Sequence, residues 1–270
     1  LRRKKAGRFE ERAMCGRYYY DDTIAEEIGE LVEEIDRRVL RQPSGDIHPV
    51  ERAPVLCGTK TPGDIHPTER APVLRGTETP GDIHPAECAP VLCGTKTPGD
   101  IHPTERAPVL RGTGGAGEKN RLQSPVCARL MRWGFVQPTG RGLLINARAE
   151  TALQRPMFCE GVLHRRCVIP ARHFYEWDAE KEKVTFSNGD GKTLFLAGIY
   201  SRSGEEDCFV ILTTQANASV RAVHPRMPLV LRENEWQDWI YDDHFMRRAL
   251  EQTPDMLKAY REYEQQSLFC

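Results

Sequence analysis

Cys15 follows Met14 directly in Met14-Cys15-Gly16-Arg17. If everything through that methionine is lost, the cysteine carries a free α-amine beside its thiol. A 1,2-aminothiol of this kind condenses with aldehydes, because an α-amine of pKa about 7.7 to 8.0 is partly unprotonated near neutrality and attacks the carbonyl. Read without its neighbour, Cys15 is an ordinary small buried hydrophobe. Glu176, in Phe174-Tyr175-Glu176-Trp177, is expected to lie among aromatic surfaces, where desolvation raises a carboxyl pKa and suits proton transfer; a solvent-facing strand carboxylate is the plain alternative. His224 precedes Pro225 and stands outside any periodic apolar run, a placement that favours a titrating group over a packed core histidine.

Four more side chains belong to the same expectation. Asn146 follows the apolar run 143–145, so its amide is expected at a strand end, orienting a carbonyl or a substrate oxygen; an ordinary turn residue is the alternative. Arg17, Arg148 and Arg226 each lie within two residues of a candidate catalytic group and would concentrate positive charge suited to phosphate. Trp133, in Arg132-Trp133-Gly134-Phe135, offers a stacking face to a base unless it is core. Cys159, His164 and Cys167 are too few for a zinc site, and no P-loop, dinucleotide glycine turn or G-x-S-x-G elbow is present.

These residues need elements to hold them. Tyr18-Tyr19-Tyr20 reads as a strand, and Thr23 with Glu26 as a capping box opening a helix whose apolar face is Ile24, Ile28, Leu31, Val32, Ile35 and Val39. A tandem eighteen-residue repeat then starts at Gly45, Gly63, Gly81 and Gly99; its eleven prolines exclude helix and leave only short strands such as Val55-Leu56. One copy is expected in the fold and the others as an insert. Beyond Arg129, β-like runs at 143–145, 167–169, 173–177, 183–187, 193–200 and 208–213 alternate with turn signals. Runs 184–187 and 193–197 read as a hairpin about Asn188-Gly189, and 235–241 and 243–250 as closing helices. The fold class is α+β, a mostly antiparallel, strongly curved, barrel-like sheet with helices around it. Residues 1–13 read as a leader or a mis-assigned start, 14–250 as one domain interrupted at 45–113, and 251–270 as a tail.

A formal net charge of −1 excludes whole-molecule attraction to polyanions, so nucleic acid must meet a local basic patch. Nine cysteines, an odd number with no C-x-x-C pair, do not form a disulfide framework and fit a reducing, cytoplasmic compartment. No apolar stretch approaches a membrane span.

In combination and in order, Met-Cys-Gly-Arg at 14–17, Arg-Trp-Gly-Phe at 132–135, Asn-Ala-Arg-Ala-Glu-Thr at 146–151, Arg-Cys-Val-Ile-Pro-Ala at 166–171, Phe-Tyr-Glu-Trp at 174–177 and His-x-Arg-Met-Pro at 224–228 resemble the motifs of the SOS-response-associated peptidase (SRAP) family, also described as abasic-site processing proteins. The resemblance implies a DNA-damage sensor that links itself covalently to abasic sites in single-stranded DNA. It also implies autoproteolytic cysteine peptidase chemistry at the Met14-Cys15 bond, a lyase side activity, and no metal or organic cofactor. Cys15 would close a thiazolidine on the ring-opened sugar and Glu176 would assist sugar opening. His224 would act as acid or base in Schiff-base formation and reversal, and Asn146 would position the terminal cysteine. Arg17, Trp133, Arg148 and Arg226 would hold the DNA backbone and neighbouring bases. Apart from the resemblance, a monomer is expected. The family carries one segment like the repeat; Pro49, Pro67, Pro85 and Pro103 all qualify for its central proline, and the choice stays open. A thiol peptidase acting on other proteins and a non-catalytic Pro-rich interaction protein are the alternatives.

Overall fold

Five long apolar strands close on themselves in the computed structural model of the chain, which describes residues 16–32, 34–59, 126–137, 139–140, 142–203 and 206–261. They are β4 (Arg52–Gly58), β5 (Val126–Trp133), β9 (Arg166–Ala171), β12 (Leu194–Ser203) and β13 (Glu206–Gln215). Their order is β13-β12-β9-β4-β5, and β5 returns to β13 through the parallel pairs Cys208↔Arg132 and Phe209↔Trp133. Every other neighbour in the ring is antiparallel. The continuous apolar reading of these strands follows from packing on both faces, and closure leaves no edge among them. The α+β, barrel-like expectation holds.

A second sheet runs β16-β11-β10-β1-β3, made of Lys258–Arg261, Lys183–Ser187, His173–Trp177, Tyr18–Tyr20 and Gly45–Ile47 in that order. Alternation along β10 and β1 gives it an inner face with Tyr18, Tyr20, Phe174 and Phe186, all fully buried, and an outer face with Tyr19, His173 and Tyr175. Short strands β2 (Glu34–Ile35), β8 (Asn146–Arg148), β14 (Arg226–Pro228) and β15 (Val230–Leu231) extend the barrel sheet, and β6 (Phe135–Val136) and β7 (Leu143–Leu144) pair with each other as a two-stranded sheet. Gly134 makes one corner: at φ +115° it turns the chain from β5 into β6, and a Cβ there would stand 2.5 Å from Leu143 Cδ2.

Helices pack outside. Of α1 (Asp22–Leu31), α2 (Ala149–Ala152), α3 (Pro156–His164), α4 (Trp236–Tyr241) and α5 (Asp243–Glu251), three are fastened by Arg166. This guanidinium, 6% exposed, donates to the carbonyls of Val162, Leu163, Trp239 and Ile240 and pairs with Asp243 at 2.8 Å.

Several expectations are corrected. Asp21, not Thr23, caps α1, its carboxylate accepting from Ile24 N at 3.0 Å. The helix ends at Leu31 because Glu34 and Ile35 pair with β5, so Ile35 lies in a strand and Val39 in a single 3-10 turn. β11 and β12 do not form a hairpin: β11 lies between β10 and β16, whereas β12 lies between β9 and β13 in the barrel. Lys258–Arg261, within the stretch expected to be a tail, is a strand of the second sheet.

The first repeat copy supplies both β3 and β4. Its neighbours explain the fit. Cys57 is fully buried, and the corresponding residues of the second and fourth copies are Arg75 and Arg111, whose charges would be stranded there. Arg52 pairs with Glu206 at 2.6 Å, and the third copy has Cys88 at that position. Residues 63–113, with the remaining copies, lie outside the described residues.

Candidate active site

Cys15 lies outside the described residues, and Gly16 is the first that can be placed. The register Tyr18↔Phe174 and Tyr19↔His173 continues through the bond from Tyr175 N to Arg17 O, 3.1 Å, so one step further Gly16 faces Glu176. A Cβ built on Gly16 would be 4.0 Å from Ile145 Cδ1, which brings this end of the chain to the residue preceding Asn146. Glu176 is 2% exposed and opposes Val184 on β11. Alternation puts its carboxyl on the inner face with Phe174, while Tyr175 and Trp177 turn outward. The burial expected for Glu176 is present, but Tyr175 and Trp177 do not sandwich it.

Those outward rings hold Arg17 instead. Its guanidinium lies 5.2 Å from the Trp177 ring centre and 3.4 Å from Asp46 on β3. Tyr175 donates its hydroxyl to Asp46 at 2.9 Å and lies 2.7 Å from His173 Nε2, and His173 stacks on Tyr19 at 4.8 Å. Burial and then the Asp46 carboxylate push the Tyr175 phenol up, so it stays protonated; burial lowers His173, so its ring stays neutral near pH 7. Asp46 was missed in the sequence because its pairing crosses from the repeat to two distant strands.

Asn146 opens β8, beside Ile211 of β13, with Arg148 beside Thr213. Trp133 fixes this approach: its Nε1 donates to Ile145 O at 2.9 Å. The ring is fully buried, stacked with Phe209 at 6.1 Å and tilted against Tyr18 at 5.3 Å. Trp133 is therefore a core residue that positions Asn146, and no ring face is left for a base, which corrects the stacking expectation.

His224 is 8% exposed, and the preceding turn holds it in place. Asn217 Oδ1 accepts from Ser219 N at 2.9 Å while its amide donates to Pro254 O and Asp255 O, and Val220 O accepts from His224 N at 3.0 Å. Asn217 escaped the sequence reading, although an Asn two residues beyond a strand is an Asx-turn signal. His224 Nδ1 lies 3.2 Å from the N–H of Arg226 and 3.1 Å from the Arg226 carbonyl. The ring thus finds a donor when Nδ1 is bare and an acceptor when it is protonated, and keeps one orientation through proton exchange.

The arginines are more committed than expected. Arg148 is exposed. Arg226 forms a bidentate pair with Glu150 at 3.0 and 2.8 Å and also donates to Thr213 O at 2.7 Å. Burial pushes Glu150 up, but the Arg226 hydrogen bonds, a backbone hydrogen bond and the charges of Arg226 and Arg148 together hold the carboxyl below its ordinary range. A phosphate at Arg226 must compete with Glu150, as one at Arg17 must with Asp46. Asn146, Arg148 and Arg226 nevertheless meet along the end of β13, through Ile211, Thr213 and Gln215.

A closed barrel with a second sheet and helices packed around them defines an α+β protein. The chain belongs to the SOS response associated peptidase (SRAP) family, whose model matches residues 14–268. It is 29% identical over 164 residues to the abasic site processing protein YoaM of Bacillus subtilis, covering 54% of this chain and 70% of that one. Similarity to YoqW of the same organism is 30% over 138 residues, 46% of this chain and 59% of the relative. To the abasic site processing protein YedK of Escherichia coli it is 32% over 115 residues, 40% and 52% of the two chains. The matches to YoqW and YedK thus span little more than half of those relatives.

Proposed function

We propose that this protein processes abasic sites in single-stranded DNA by covalent capture. Cys15, freed at its α-amine by removal or self-cleavage of the preceding residues, is the nucleophile. The amine adds to the C1 aldehyde of the opened sugar and water leaves to give an imine. The thiol then adds to the same carbon and closes a thiazolidine. The imine, which invites β-elimination of the 3′ phosphate, is thereby consumed and strand breakage is prevented. Glu176 moves the proton that opens the sugar, His224 carries protons during imine formation and reversal, and Asn146 orients the terminal cysteine. Arg17 and Arg148 meet the phosphodiester backbone. A single-stranded target spares the cost of extruding a nucleotide from a duplex.

The observation that carries this reading is Glu176, a carboxylate 2% exposed on the strand facing Gly16, the residue next to Cys15. Burying a carboxylate there costs desolvation that an apolar side chain opposite Val184 would not incur. The names of the relatives, abasic site processing proteins, support abasic sites as the target. Incubating the processed protein with single-stranded DNA carrying an abasic site is expected to give an adduct that survives denaturation, and Cys15→Ala to abolish it. An undiminished adduct with Cys15→Ala would overturn the mechanism.

A further inference from the structure

Three cysteines lie in a row across neighbouring barrel strands. Cys57 on β4 is opposite Cys127 on β5 and opposite Cys167 on β9. The sulfurs of Cys57 and Cys127 are 3.5 Å apart. Both residues are almost wholly buried, at 0% and 2% exposure, and they sit one pair from the strand ends Gly58↔Val126, between which the chain runs through 59–125. We propose that Cys57 and Cys127 are an oxidisable pair that a hydroperoxide converts to a disulfide across the foot of the repeat insert.

The geometry meets the demands of that bond. Directly opposed residues on adjacent strands bring their Cβ atoms to about 4.5–5.5 Å, and a disulfide needs about 3.5–4.5 Å, so a small contraction suffices. The two thiols are also differentiated. The hydrogen bond with Cys57, and then the charge of Arg129, lower Cys127 against the effect of burial. The same hydrogen bond, and then burial, raise Cys57. Burial alone raises Cys167, so Cys127 is the thiol of the three that gives up its proton most readily.

In the first step the Cys127 thiolate attacks one peroxide oxygen. The S–O bond forms, the O–O bond breaks, and the departing oxygen leaves as water or an alcohol after taking a proton. Cys57 then gives up its proton and attacks the resulting sulfenic acid, forming S–S and breaking S–O with loss of water. Two thiols and one hydroperoxide yield one disulfide, one water and one water or alcohol, the sulfurs losing two electrons to the peroxide. Opening of the terminal pair Gly58↔Val126 is a small local event that admits the oxidant.

The test uses the full chain, reduced, freed of reductant, exposed to hydrogen peroxide, then denatured, alkylated and mapped by peptide mass. The expected product joins the peptides containing Cys57 and Cys127. Cys57→Ser is expected to leave Cys127 as a sulfenic acid that dimedone traps, and Cys167→Ser to leave the Cys57–Cys127 bond unchanged. Alkylation of both Cys57 and Cys127 after peroxide treatment would overturn the proposal. So would a bond from Cys127 to Cys167, or to Cys93, the cysteine of the third repeat copy at the position matching Cys57. No DNA enters the assay, so its outcome is independent of the covalent-capture reading.

Discussion

Glu150 and Arg226 decide how much positive charge the site can offer. Their bidentate pair, with the Arg226 side chain 17% and the Glu150 side chain 36% exposed, neutralises the cation that the sequence suggested for phosphate. Removing the carboxylate charge frees it. Glu150→Gln is expected to tighten single-stranded DNA binding at low salt and to steepen the slope of log affinity against log salt by about 0.7, the value for one added phosphate contact on a single strand. Affinities measured across a salt series check this, and an unchanged slope would show that Arg226 faces no phosphate. The types of the chemical residues were legible at this scale, since carboxylate, imidazole and amide stand out in short motifs. Their surroundings were not. Trp133 and Glu176 show why: whether a strand residue faces core or solvent depends on which strands pair with it, and Trp133 is enclosed by Tyr18 and Phe209, both remote in sequence.

Among the elements, Arg166 fastens α3, α4 and α5 to β9 with a single side chain. Arg166→Met keeps the bulk but leaves four buried carbonyls without their donor. A loss of about 3–5 kcal/mol is expected, visible as a lower urea midpoint. At the other end of the barrel, Asp21 caps α1 and also binds Arg172 at 2.9 Å. The Arg172 hydrogen bonds, opposed by burial and assisted by Ile24 N–H, hold its pKa below the ordinary value. A depressed carboxylate stabilises the fold above its unfolded pKa of about 3.9 and loses that contribution as pH falls through the folded value. Asp21→Asn is expected to lower stability at pH 7 and to flatten the decline below about pH 4, followed by thermal unfolding over pH 2–7. β10 and β11 have the bounds that their alternating patterns predict, because periodicity is a local property. The mistaken hairpin of β11 with β12 arose from the same runs, because adjacency in sequence does not say to which sheet a strand belongs.

For the whole molecule, the position of the repeats matters more than their composition. The second to fourth copies fall in the sequence between β4 and β5, antiparallel neighbours joined from Arg52↔Arg132 to Gly58↔Val126, so the chain departs and returns at one place on the barrel. Closing a long loop at such a place costs little more than closing a short one. Deleting residues 63–116, which removes the second to fourth copies, is expected to preserve the fold and to raise stability by about 1.5 kcal/mol from loop entropy. Denaturant unfolding of the shortened chain checks this, and a substantial destabilisation would mean that the later copies contribute to the barrel. The sequence revealed the repeat and its failure to form helix. It left open the choice among copies because Ala-Pro-Val-Leu recurs in all four; the selection rests on Cys57 and Arg52 at its flanks.

The insertion point has an evolutionary consequence. Tandem units of eighteen residues readily multiply or shrink by unequal exchange, and here each gain or loss falls between two strand ends that are already paired. Lineages can therefore change copy number without moving the alignment of any barrel strand, provided one unit keeps an uncharged residue where Cys57 now sits.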